Sequence, residues 1–257
     1  MPKNDRLFYL LNQLDKPDLI LLLKNGLRSE YIKLENYSRK YLINLISEEL
    51  RAAAGSGVVN IFRDKHEFPY KRILIGVADK LTEGLFSGST FRADDLYSEE
   101  EIENEIIRLF ELKIEKWWKG MKNSEKKKVV SQVNQVIDAN LVHSVNQKKI
   151  SQRAIDLAIT RGIVTFVSGT LLTQAQWTIL VSTIAHITGI QMLVGGMGLA
   201  ALGLTGPGIV ALLLPSTVLL LSGSNYKKTV PTVIMLLSKI HLKNASEDSL
   251  SSERLLT

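Results

Sequence analysis

The sequence predicts an all-α protein, a multi-helix bundle with a central glycine-rich apolar helical hairpin. Three observations predict this fold class. Apolar residues recur at helical spacing along most of the chain. Helix start signals precede several of these runs, the clearest being Ser98 followed by three glutamates. Finally, a 65-residue stretch, 162–226, contains no Asp, Glu, Lys or Arg, and its glycines recur at helical intervals.

The first part of the chain, residues 1–82, is predicted to be an N-terminal helical subdomain. Gly55 ends its longest helix, and Pro69 suits the start of its last one. Residues 83–98 are rich in Gly, Ser and Asp and lack periodicity, so they are interpreted as a linker. The helices predicted in this part are Arg6–Leu14, Asp18–Lys24, Asn36–Ala54 and Tyr70–Leu81.

The second part, residues 99–243, is predicted to be a helical domain that contains the apolar hairpin. Its first helix is capped by Ser98 and runs to about Met121. Asn123 or Ser124 begins the next, which extends to about residue 158 with a break near 146. A last helix covers Val230–Leu242, with Pro231 in its first turn, and residues 244–257 are predicted to be a flexible tail because Ser and charged residues dominate them.

Composition excludes several functional classes. The chain has 257 residues, 45% of them hydrophobic, and no cysteine. Disulfides, thiolate nucleophiles and cysteine-ligated zinc or iron–sulfur sites are therefore excluded. Charged residues divide the apolar patches of the first 26 residues, so these do not resemble a secretory signal peptide. We expect a cytoplasmic protein, peripheral or integral at the cytoplasmic face of a membrane.

The positive charge is concentrated beside the uncharged stretch. Residues 113–161 hold eleven basic side chains against four acidic ones, and Lys227 and Lys228 follow the stretch directly. Trp117 and Trp118 precede the basic run, and tryptophan favours a membrane–water interface. The pattern predicts a partner or lipid surface, although a solvated charged face is the ordinary alternative. Its residues are Trp117, Trp118, Lys122, Lys126, Lys127, Lys128, Lys227 and Lys228.

The strongest signal is the hairpin predicted at 184–222, two apolar arms around a Gly-Pro-Gly turn. Small residues spaced four and seven apart place a close-packing face on the first arm. The residues assigned to hairpin packing are Gly189, Gly196, Ala200, Gly203, Gly206, Pro207 and Gly208. The first arm is long enough to cross a bilayer, but the second is short and contains Pro215. A buried core hairpin, a membrane hairpin and a conditional change between them all remain open.

No catalytic, cofactor or metal motif was found. The four histidines lie apart, without the i, i+4 spacing of a helical zinc site. Residues 196–201 match a dinucleotide fingerprint with alanine in the third position, but no strand precedes them and no acidic residue follows before Glu247. The sequence therefore predicts a protein that is not an enzyme and that needs no cofactor.

Three segments resemble the YaaW-like family of uncharacterised bacterial proteins, which is grouped with the ubiquinol–cytochrome c chaperone domain. They are residues 55–81 (GSGVVNIFRDKHEFPYKRILIGVADKL), 114–128 (IEKWWKGMKNSEKKK) and 222–237 (SGSNYKKTVPTVIMLL). The resemblance implies a helical fold that helps another protein fold or assemble at a membrane, and it transfers no site residue. Members of that family carry arginines within the glycine-rich stretch, and this chain does not.

Two functional hypotheses follow. The first is a non-catalytic, chaperone-like helical protein that binds an unidentified protein partner at or near an anionic membrane surface. The second is a membrane-inserting protein of the pore-forming or toxin-like class that uses the 184–222 hairpin. The basic run could contact nucleic acid or anionic lipid, but Glu115 and Glu125 interrupt its charge, which favours a solvated face. Nucleic acid is not favoured as a partner, and no oligomeric state is predicted.

Overall fold

A computed structural model describes residues 5–31, 33–55, 68–82, 94–140, 151–161 and 225–254. Within these ranges every regular element is helical, which confirms the all-α class. A π-helical turn, Leu22–Gly26, continues α2, and a 3₁₀ turn covers Leu34–Asn36. The α-helices are α1 (Arg6–Leu11), α2 (Lys16–Leu21), α3 (Arg39–Ala54), α4 (Tyr70–Thr82), α5 (Glu99–Gly120), α6 (Asn123–Asn140), α7 (Gln152–Arg161) and α8 (Tyr226–Arg254).

Side-chain caps explain where several helices begin. The predicted cap at Ser98 is confirmed: its hydroxyl accepts from the Glu101 backbone N–H at 3.2 Å, and the Glu101 carboxylate accepts from the Ser98 backbone N–H at 2.7 Å. This reciprocal capping box satisfies two backbone donors that a helix start leaves free. Asp5, Asp15 and Ser38 cap α1, α2 and α3 in the simpler one-bond manner.

The first half of α8 is the centre of the structure. Residues 229–240 are buried without exception, and they pack against the π-helical turn, α3, α4 and α5. A helix that is buried on every side is stabilised by its neighbours rather than by its own propensity. The closest approach is at Gly26, where an added Cβ would lie 2.7 Å from Thr232 Oγ1 and 3.1 Å from Thr232 Cα.

Both ends of α8 differ from the sequence prediction. The helix begins at Tyr226 rather than Val230, so Pro231 lies inside it and removes one backbone donor. The hydroxyls of Thr229 and Thr232, on either side of the proline, donate to the carbonyls of Asn225 and Lys228 one turn earlier. At the other end α8 continues to Arg254 instead of giving way to a tail at 244, since no Gly or Pro interrupts residues 244–254.

One hydrophobic core joins the two predicted subdomains. It extends from Leu7 in α1 to Ile240 in α8, across the predicted 83–98 linker, whose residues 83–93 lie outside the described ranges. Ion pairs also cross that boundary. Arg6 Nη2 lies 2.6 Å from Oε2 of Glu103, which is 3% exposed. The described helices of residues 1–82 and 99–243 therefore pack as one body around α8.

The predicted hairpin at 184–222 lies outside the described residues, as do all seven of its packing residues. Among the helices that the structure describes, none is both long enough and apolar enough to span a bilayer.

Candidate functional site

The region predicted as a partner or lipid surface centres on the junction of α5, α6 and α7. A two-residue turn, Met121 and Lys122, separates α5 from α6. The Lys122 backbone N–H donates to the Glu125 carboxylate at 2.8 Å and so closes the start of α6. The predicted cap residues, Asn123 and Ser124, lie within the helix itself.

Trp118 does not belong to the surface, contrary to the prediction. Its side chain is 4% exposed, and its indole N–H donates to Asp156 Oδ1 on α7. Lys126 Nζ lies 5.1 Å from the centroid of the Trp118 ring and 3.8 Å from Asp156 Oδ1. Only 17% of the Lys126 side chain is exposed. Trp118 and Lys126 therefore fasten α5 and α6 to α7 through a cation–π contact, a hydrogen bond and an ion pair.

Trp117 is partly buried and packs against the core. Its ring centroid lies 5.9 Å from that of Trp118, with 48° between the ring planes. Its indole N–H is buried and has no hydrogen-bond acceptor among the residues that the structure describes. Adjacent helical residues point about 100° apart, which is why one tryptophan reaches the core and the other stays at its boundary.

Three of the predicted lysines are exposed: Lys122 before α6, and Lys127 and Lys128 on its outer side. We call these three residues the lysine surface. The opposite side of α6 carries Val129 and Val133, which are 4% and 0% exposed. Because this apolar stripe faces the core, α6 is held with its lysines toward solvent.

Lys227 and Lys228 occupy a different place, in the first turn of α8, where both are partly buried. Lys228 lines a cleft formed with residues 28–31 and with the end of α3, and no described residue of α6 lines that cleft. The eight residues predicted as one surface are thus divided among a buried junction, the lysine surface and the start of α8.

The sequence interpretation missed Asp156, which accepts the Trp118 N–H and pairs with Lys126. One signal pointed to it: Asp156 is among only four acidic residues in 113–161, within a run dominated by lysine. An isolated carboxylate in such a run is a natural partner for a partly buried cation. Its pairing with a tryptophan 38 residues earlier depends on the tertiary fold.

The described residues include no group of three or more His, Asp or Glu side chains that could hold a metal ion. Among these residues, Tyr70 has a shifted pKa with a structural cause. Burial raises the pKa of Tyr70 well above 10.0, and the charges of Glu103 and Glu99 add to that rise.

No protein-family model, no curated protein and no solved structure matches this chain. The resemblance of residues 55–81, 114–128 and 222–237 to the YaaW-like family therefore stays a prediction from sequence.

Proposed function

We propose that this chain is a non-catalytic helical protein that binds an anionic membrane surface through α6 and there engages a protein partner. The observation that supports membrane binding is the lysine surface. Its lysines point toward solvent because the opposite side of α6 is buried. The partner and the chaperone-like role come from the resemblance to the YaaW-like family. The cytoplasmic face, which carries the anionic lipids, is the surface we propose.

The geometry of α6 supports electrostatic attachment rather than insertion. Among the described residues Lys127 and Lys128 form no ion pair. Each lysine close to an anionic leaflet contributes roughly 1 kcal/mol of binding free energy. Salt weakens this attraction, because the Debye length is only about 10 Å at 0.1 M ionic strength.

Flotation with lipid vesicles tests the membrane part. We expect the chain to float with vesicles containing phosphatidylglycerol and to stay behind with phosphatidylcholine alone, and 0.5 M salt should release it. Replacing Lys127→Gln and Lys128→Gln together removes two charges and should weaken binding by roughly 30-fold at low salt. A matched control exists in Lys33→Gln with Lys40→Gln, since both lysines are exposed on the N-terminal part of the chain.

Equal loss of binding in the two double variants would show that net charge alone drives the association, and would contradict the assignment to α6. Flotation on neutral vesicles would contradict the electrostatic mechanism. Protease digestion of the floated fraction tests the insertion hypothesis separately. Insertion would increase the protection of residues 184–222 when lipid is added, whereas surface attachment would not change it.

The partner needs its own experiment. Proteins cross-linked to a photoreactive label next to the lysine surface, with the chain bound to phosphatidylglycerol vesicles, are compared with those captured in solution. The proposal predicts a partner enriched on the vesicle-bound form. An identical set in both states would contradict a membrane-dependent role.

A further inference from the structure

A solvent-open cleft of about 590 Å³ lies between the chain after the π-helical turn and the meeting point of α3 and α8. Residues 28–31 form one side, Glu49 and the last turns of α3 form the floor, and Asn225 and Lys228 close it from the start of α8. This volume falls within the range of small-molecule sites. The lysine surface contributes nothing to it.

Hydrogen bonds fix the walls of the cleft. The Asn225 backbone N–H donates to the Ala53 carbonyl at 2.6 Å, which ties the start of α8 to the end of α3. The Ser29 backbone N–H donates to the Leu23 carbonyl at 2.9 Å and holds the opposite wall. Between these two hydrogen bonds, the backbone of Arg28 has a φ of 51°, in the left-handed region that residues other than glycine rarely adopt. Such backbone persists only where the surroundings hold it, and it is commonest at functional sites.

Two cations from separate elements, Arg28 and Lys228, line this cleft and form no ion pair among the described residues. Their side chains form no hydrogen bond in that part of the chain either. Arg28 is exposed as a whole, and partial burial of its guanidinium lowers its pKa. Arg28 and Lys228 therefore present two unpaired cations to one cleft, where an anionic group could contact both.

The carboxylates of the cleft do not fill this role. The Ser29 hydroxyl donates to Glu49 Oε2 at 2.5 Å, and the negative charge of Glu49 raises the pKa of Tyr31. Glu30 is exposed and forms no ion pair within the described residues. Both carboxylates therefore line the same cleft while leaving Arg28 and Lys228 unpaired.

We propose that this cleft binds a small dissolved ligand through a carboxylate or phosphate group held between Arg28 and Lys228. The planar guanidinium can donate two parallel hydrogen bonds to such a group, and the ammonium adds a point charge. The Tyr31 hydroxyl and the Asn225 side chain supply neutral polar contacts for the rest of the ligand. This site is separate from the lysine surface, so its experimental test is independent of the test of the proposed function.

Arginine side-chain NMR tests the site directly. The Nε–Hε resonance of Arg28 is identified by its loss in Arg28→Gln, and inorganic phosphate and acetate are titrated separately at constant ionic strength with chloride as the balancing anion. We expect a saturable shift of that resonance with at least one anion. The anion that saturates identifies the group recognised.

Matched variants make the result specific. Lys228→Gln should lower the affinity for the anion that saturates at least tenfold. Lys227→Gln, one residue away and outside the cleft lining, should leave that affinity unchanged. Arg28→Gln should keep the wild-type melting temperature without anion, lose the stabilisation that the anion gives the wild type, and still float with phosphatidylglycerol vesicles.

The proposal would be overturned if the Nε–Hε chemical shift of Arg28 changed linearly with the concentration of both anions, by the same amount as that of the exposed Arg153. Equal weakening by Lys227→Gln and Lys228→Gln would also overturn it. If Arg28→Gln fails to fold, the comparison of the two lysine variants still decides the question.

Discussion

Lys239 Nζ lies 2.9 Å from Asp18 Oδ1, and this ion pair joins α8 to α2 with only 7% and 14% of the two side chains exposed. Removing one partner of such a pair leaves the other charge desolvated. We predict that Lys239→Met lowers the free energy of unfolding by about 2 kcal/mol, less than for a fully buried pair because Asp18 keeps some solvent contact. Urea unfolding measures the change.

Adding Asp18→Asn to Lys239→Met should restore much of that stability, because the stranded carboxylate is gone. Burial raises the pKa of Asp18 above its ordinary 3.8, and Lys239 opposes the rise. The cost of Lys239→Met should therefore shrink as the pH falls and Asp18 takes up a proton. Additive losses in the double variant, or a cost that grows in acid, would contradict this account of the pair.

The second prediction concerns the contact of Gly26 with α8. A methyl group at Gly26 would meet Thr232, including its backbone, closer than van der Waals packing allows. Gly26→Ala should lower the free energy of unfolding by about 1 to 3 kcal/mol, the usual cost of overpacking. Gly120→Ala is the control, because nothing lies within 4 Å of an added Cβ there. Thermal unfolding of both variants checks the prediction; equal stability would mean that α8 does not lie as close as described.

The third prediction concerns Asp156 at the α5, α6 and α7 junction. Asp156→Ala leaves the buried Trp118 N–H without an acceptor and Lys126 without its carboxylate. We expect a loss of about 1 to 2 kcal/mol and faster amide hydrogen exchange in α7. Glu115→Ala removes an equally exposed carboxylate whose partner Lys119 is 72% exposed, so its effect should stay below about 0.5 kcal/mol. Unchanged exchange in α7 would show that Asp156 does not hold the junction.

The fourth prediction is a pH dependence at His241. Burial lowers the pKa of His241 below its ordinary 6.5, while the charges of Glu103 and Glu111 oppose the shift. The unfolded chain therefore binds a proton at this residue before the folded chain does, and stability falls as the pH drops below 6.5. His241→Gln should flatten that part of the stability curve. An unchanged slope in pH-dependent urea unfolding would exclude this contribution.

Local signals in the sequence predicted much of this fold. Ser98 and the three glutamates after it predicted a helix start correctly, because a cap and its first turn involve only neighbouring residues. The apolar spacing of α5 and α6 likewise predicted helices there. The start of α8 was placed four residues late, because a proline is ordinarily expected in the first turn of a helix. Pro231 instead lies inside α8, in a segment that the neighbouring helices bury.

The candidate site was less predictable, because its geometry depends on contacts between residues far apart in sequence. Periodicity suggests that one of two adjacent tryptophans is buried, but it does not show that Asp156 accepts from Trp118. The cleft beside Arg28 carries no motif at all. It arises where α3, α8 and the left-handed turn at Arg28 meet, and only the fold brings Lys228 to it.

The most direct test of the central claim, that α6 meets an anionic membrane, is an environment-sensitive fluorophore on that helix. The chain has no cysteine, so Ser131→Cys gives a single labelling site at an exposed position one turn beyond Lys127 and Lys128. Asn36→Cys gives the control at an exposed position elsewhere. With phosphatidylglycerol vesicles, we predict a blue-shifted and brighter NBD emission at position 131 and no change at 36. A change at 36 alone, or at neither position while the protein floats, would contradict the claim.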